Sequence, residues 1–207
     1  MILGTGPGLT PELLERVAVL RQHKRIRVCG MNNTWQHYAG VMDMFTACDP
    51  QWWETYGHEF QAWRESAAVR PQAWHWDPAV AGRWKLRFIP GRWGDGLSLD
   101  PAYIHYGHSS SYQLINLAVL HGCTRLLLLG FDMKYGSGPR HYFNDLSDDA
   151  GEYPPHLRKW SSFTGLLGCY KTIADQQEKT KAFEIINCTP GSAMPWFPIK
   201  PLHTVEL

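Results

Sequence analysis

The chain has 207 residues, 20 basic and 19 acidic, and a formal charge of +1, so it has no positive field to hold nucleic acid by charge alone. Hydrophobic residues make up 44% and charged residues 19%, enough core for a single nucleotide-binding-like domain over 1–207. The longest apolar run, LLLLGF, is too short to span a bilayer. Five cysteines, odd in number and without a CxxC pair, point to free thiols in a cytoplasmic protein rather than to disulfides or zinc.

The segment MIL predicts a stub of buried strand leading into the turn Gly4-Thr5-Gly6-Pro7-Gly8. Leu13, Leu14, Val17 and Leu20 recur at helical spacing behind an N-cap at Thr10, with Pro11 at the first helical position. RIRVCGMNN predicts a second strand stopping at Asn32-Asn33, and GVMDMFTACDP a third ending at Asp49-Pro50. QWWETYGHEFQAWRESA predicts a helix, AWHWD a strand, and a further strand falls near 84–89 before a loop rich in Gly, Trp and Arg. SSYQLINLAVLHGC predicts a helix with Leu114, Leu117, Ala118 and His121 on one face, closed by Gly122. The continuous apolar run in TRLLLLGFDM predicts a central strand covered on both faces. A polar loop follows, with a small lid expected at about 134–160. Then come a long helix in KWSSFTGLLGCYKTIADQQEK and a last strand in AFEIINCTPGSAM. The alternation predicts an α/β, Rossmann-like fold: a mostly parallel sheet with helices on both faces.

Open parallel sheets bind ligands outside the carboxyl ends of their strands. Here those ends carry Gly4-Thr5-Gly6, Asn32-Asn33, Cys48-Asp49-Pro50, Gly130-Phe131-Asp132 and Asn187 to Pro190, with His108-Ser109-Ser110-Ser111 forming the turn into a helix. Glycines admit a ligand to the backbone, and the helix start that follows favours negative charge. Asp132, directly after a buried strand, suits a metal, a ribose or a base edge. His141 and His156 lie in the polar loop and are candidate bases. His37, His58, His75 and His121 read as surface positions. Trp52, Trp53, Trp74 and Trp76 read as packing.

The ordered segments ILGTGPGL, VCGMNN, ACDPQWWETY, SSSYQLINLAVLHGCTRLLLLGFDM and INCTPGSAM resemble the bacterial family forty-two sialyltransferases. They also resemble the motility-associated-factor glycosyltransferases, the archaeal-type hydroxymethyl-dihydropterin pyrophosphokinases and short phage-encoded proteins. The resemblance implies a Rossmann-like fold binding a nucleotide-activated sugar, CMP-linked in the sialyltransferases. It implies nucleotide-binding roles for Gly4, Thr5, Gly6, Asn32, Ser109, Ser110, Gly130 and Asp132, and the adjoining Asn33 and Ser111 are nucleotide-binding candidates beside them. Asp49 would lie near the donor's reactive end. Tyr135 and Tyr142 would stabilise the leaving phosphate. Thr5 stands where the relatives carry Asn, and Ser111 where they carry Gly. Their lid histidine has no ungapped counterpart, so His141, His156 and Asp49 are the catalytic candidates.

The expected function is metal-independent transfer of a sugar from a nucleotide donor to the hydroxyl of an acceptor, a glycan or a modified nucleobase. No membrane partner is expected, and a homo-oligomer is compatible with this reading. One alternative is a pyrophosphokinase or other phosphotransferase with magnesium on Asp132, Asp49 and Asp145. Another is a non-catalytic nucleotide-binding module.

Overall fold

The computed structural model describes residues 1–23, 26–134 and 163–207. Its elements run β1 (Ile2–Leu3), α1 (Pro11–His23), β2 (Cys29–Met31), α2 (Thr34–His37), β3 (Met44–Thr46), α3 (Pro50–Ser66) and β4 (Gln72–His75). They continue with α4 (Pro78–Arg83), β5 (Arg87–Phe88), β6 (Gly91–Arg92), β7 (Ile104–His105), α5 (Ser110–Leu120), β8 (Arg125–Leu129), α6 (Phe163–Thr180) and β9 (Glu184–Asn187). Seven strands form one sheet in the order β5-β4-β3-β2-β1-β8-β9, and β6 and β7 form a separate pair. Among the described residues every strand pairing is parallel.

Side-chain alternation along the strands divides the core into two layers. Ile2, Met44, Leu126, Leu128 and Ile185 pack with Leu114, Ile115 and Leu117 of α5 and with Tyr170 and Ile173 of α6. Leu3, Phe45, Leu127, Leu129 and Ile186 pack on the opposite face with Val17 of α1 and with Trp52, Trp53 and Phe60 of α3. The expected helices on both faces of a parallel sheet are present. So is the Thr10 cap, whose Oγ1 accepts the Leu13 N–H at 3.3 Å. Gly122 follows α5 at φ +84, the left-handed turn that glycine adopts without strain. Among the described residues, no helix is long and apolar enough to cross a membrane.

The structure differs from the sequence reading in several places. Helices α2 and α4 and the pair β6–β7 were not expected. The strand near 84–89 is only Arg87–Phe88, exposed at the sheet edge. His75 is not a surface residue; it is 1% exposed. Its Nδ1 accepts the Asp77 N–H at 2.9 Å, and burial pushes its pKa down. Trp52 and Trp53 are core residues as read, whereas Trp74 and Trp76 are half-buried.

Candidate functional site

From β1 the chain steps outward to β5 and then crosses back to lay β8 on the other flank of β1. The strand order therefore reverses between β1 and β8. A crevice at the carboxyl ends of such a pair is the ligand position of open α/β sheets. Leu3 is level with Gly30 on one side and Leu129 on the other, so Thr5 leaves the sheet between Asn32 and Phe131.

Two polar clusters flank that exit. On the β2–β3 side, Ser110 Oγ donates to Asn32 Oδ1 at 3.0 Å and accepts the Cys48 N–H at 2.9 Å. One buried hydroxyl thus joins the start of α5 to the ends of β2 and β3. Asn32 sits at φ 47, a left-handed conformation that asparagine tolerates better than most residues. Ser109 caps α5 by accepting the Tyr112 N–H at 3.2 Å. Ser109 and Ser111 hydroxyls lie 3.0 Å apart, and Ser111 is 2.5 Å from the phenol oxygen of buried Tyr170. Burial raises the Tyr170 pKa, so the phenol stays protonated near neutrality.

On the β8 side, the turn after β1 is pinned to the exit of β8. The Gly4 N–H donates to Leu129 O at 2.7 Å and the Gly6 N–H to Gly130 O at 2.9 Å. Both Asp132 carboxylate oxygens accept the Gly8 N–H, at 3.1 and 3.0 Å. A Cβ at Gly6 would run into Gly130 O and the Asp132 carboxylate. The sequence reading gave these glycines to a ligand; their close partner is the chain's own β8 exit. Thr189 completes the cluster, its Oγ1 accepting the Phe131 N–H at 2.9 Å. Desolvation raises the Asp132 pKa, against the lowering effect of the Gly8 N–H.

No family model and no curated protein matches the sequence. Among solved structures, the chain superposes on the sialyltransferase CST-II, crystallised with a trisaccharide acceptor and CMP, with a TM-score of 0.58. The fold is similar to that of CST-II. The match covers 100% of this chain and 87% of CST-II at 11% identity, so the likeness to CST-II is one of fold.

Thr5, Asn32, Ser109 to Ser111, Gly130 and Asp132 all lie along the carboxyl edge. Two other candidates are engaged elsewhere. Asn33 is 3% exposed; its Oδ1 accepts the Trp52 indole N–H at 2.9 Å and its Nδ2 donates to Gln36 at 2.9 Å. Asp49 is the N-cap of α3 and accepts the Gln51 N–H at 2.9 Å, the ordinary work of a carboxylate before a Pro-initiated helix. Tyr135, His141, Tyr142, Asp145 and His156 lie outside the described residues, as does nearly all of the lid expected at 134–160. Among the described residues, no group of three His, Cys, Asp or Glu side chains is assembled to hold a metal ion.

Two residues at this edge carry features beyond the sequence reading. His108, exposed and at φ 57, directly precedes the serines. Its left-handed backbone at a non-glycine residue marks a constrained turn. Tyr170 reaches Ser111 from α6, across 59 positions in the chain, a distance no local pattern encodes.

Proposed function

We propose that the chain is a glycosyltransferase that takes a nucleotide-activated sugar, CMP-linked by the sequence resemblance, at the carboxyl edge of β1, β2 and β8. The observation that carries this reading is the Asn32–Ser110–Cys48 bridge standing beside Thr5 where the strand order reverses. In this reading Asn32 and Ser110 contact the nucleoside and Asp132 closes on it from β8. The start of α5 faces the phosphate with backbone N–H groups and serine hydroxyls.

Transfer requires one proton and one electron pair to move. The acceptor hydroxyl gives its proton to a histidine base as its oxygen bonds to the anomeric carbon. The bond from that carbon to the phosphate oxygen breaks, and its electron pair leaves with the nucleotide. Donors at the α5 start meet the growing phosphate charge, so the proposed step is metal-independent. His141 and His156 are the bases the sequence offers. His108, before Ser109, is the candidate among the described residues.

Calorimetric titration with CMP, UMP and their sugar conjugates tests the reading. CMP binding in the micromolar to millimolar range, weakened by Asn32→Ala, supports it. Absence of nucleotide binding at millimolar concentration would refute it. Magnesium-dependent ATP turnover lost in Asp132→Asn would replace it with the phosphotransferase.

A further inference from the structure

An aromatic ladder rises from the serine cluster to the surface. The Trp76 indole donates to Cys48 O at 3.1 Å, and the same Cys48 donates its N–H to Ser110. Tyr106 packs edge-to-face on Trp76 at 5.0 Å, and Trp93 packs on Tyr106 at 5.1 Å. Trp93 also meets the His108 ring at 4.8 Å, which returns the ladder to the residue before Ser109. At its top Trp93 is 71% exposed, the highest value among the large exposed hydrophobic residues described.

This exposure is held in place by packing and hydrogen bonds. Residues 91–108 are clamped by buried Asn116, which accepts the Ser98 and His105 N–H groups at 2.9 Å each and donates to Ser98 O at 2.8 Å. Gln176 of α6 binds both backbone groups of Leu97, at 2.6 and 2.9 Å. Gly91 lacks the Cβ that would strike the Tyr106 ring. An indole kept in water on a clamped loop forgoes its hydrophobic burial, while offering a rigid amphipathic face at little entropic cost to a ligand.

We propose that Trp93, backed by Tyr106 and Trp76, is the stacking platform for a pyranose ring of the acceptor. A pyranose turns a face of C–H groups to an aromatic ring and leaves its hydroxyls for His108 and Ser109. A polynucleotide strand fits worse. Its phosphates need a cationic track, whereas the chain's net charge is only +1. The assignment of this pyranose to an acceptor rests on the glycosyltransferase reading; binding of the sugar does not.

The test uses the full chain without nucleotide. Methyl glycosides of glucose, galactose and N-acetylglucosamine are titrated while the Trp93 indole N–H is followed by NMR. The expected result is a shift of that signal on millimolar sugar. Trp93→Ala should weaken binding about tenfold and Trp93→Phe only about threefold, with melting temperature and CMP affinity unchanged. Equal sugar binding by Trp93→Ala, no response to any glycoside, or tighter binding of oligothymidylate than of sugar would overturn the platform. CMP binding and sugar binding are read separately. Sugar binding that depends on Trp93 in a chain that ignores CMP would refute the nucleotide reading and leave the platform standing.

Discussion

Ser110 acts through two hydrogen bonds and little exposed surface. Ser110→Ala strips the acceptor from the Cys48 N–H and the donor from Asn32, leaving polar groups in a desolvated corner. The expected loss is about 1–3 kcal/mol in urea unfolding, with a CMP affinity about tenfold weaker because Asn32 is no longer oriented. A variant that loses stability but binds CMP as before would reduce Ser110 to a structural pin. His75 gives a pH signature. Burial holds its pKa below the ordinary value of 6.5. As pH falls through 6.5 toward that lowered value, the unfolded chain takes up a proton that the folded chain refuses. Stability should therefore be full above this window and decline as pH falls through it. Thermal unfolding between pH 7.5 and 5 reads the slope, which His75→Gln should flatten. The misreading of His75 as a surface residue has a simple cause. Strand parity puts it on the face of buried Ala73, while the larger Trp74 lies half-out. Residue type pointed one way and alternation the other, and alternation decided.

At the scale of elements, the sequence was most readable where a pattern repeats. The apolar run of β8, the long helical stretch of α3 and the serine-led start of α5 carry long periods or capping chemistry, whereas Asp49-Pro50, read as the end of a strand, is the start of α3. Elements α2, α4, β6 and β7 have two to six residues each, too few to show a period. The excursion 91–108 is shaped by contacts that no local pattern contains, above all Asn116, 18 positions from Ser98. Asn116→Ala leaves the Ser98 and His105 N–H groups without their acceptor inside the core, at a cost of about 3 kcal/mol. Hydrogen exchange should accelerate at those two amides while those of β1 and β8 keep their order of protection. Unchanged exchange at Ser98 and His105 would show that something else holds the excursion. The glycine turn stands where the sequence reading puts it, and the structure adds a reason of its own for the missing side chain. Gly6 does stand at the carboxyl edge, but the group that needs its missing Cβ is Asp132. Gly6→Ala should therefore destabilise the chain by about 1–3 kcal/mol through overpacking, measured without any ligand.

For the whole molecule, parallel strands gather residues remote in the chain along one edge, and the strand order reverses between β1 and β8, the position at which open α/β sheets bind their ligands. The opposite edge provides an internal control. A cleft there, lined by Thr124, Gln177, Lys181, Phe183 and Glu184, lies at the amino ends of β8 and β9, beside the exposed Arg125–Glu184 pair. Concavity alone would favour this cleft as a binding place. The two edges differ in what lines them: the carboxyl edge presents Asn32, Ser109 to Ser111 and the start of α5, the set on which the nucleotide proposal rests. A nucleotide at 100 times its Kd stabilises the fold by about 2.7 kcal/mol if it binds only the folded state. That gain should appear locally as slowed hydrogen exchange at residues 4–8, 32, 48, 109–112 and 130–132. Amides at Thr124 and Phe183 to Ile185 should keep their rates apart from the small uniform slowing that global stabilisation brings. Protection of the amino-edge cleft instead would mean that CMP is held by shape and lysine charge, and the strand-end geometry would have no part in binding it.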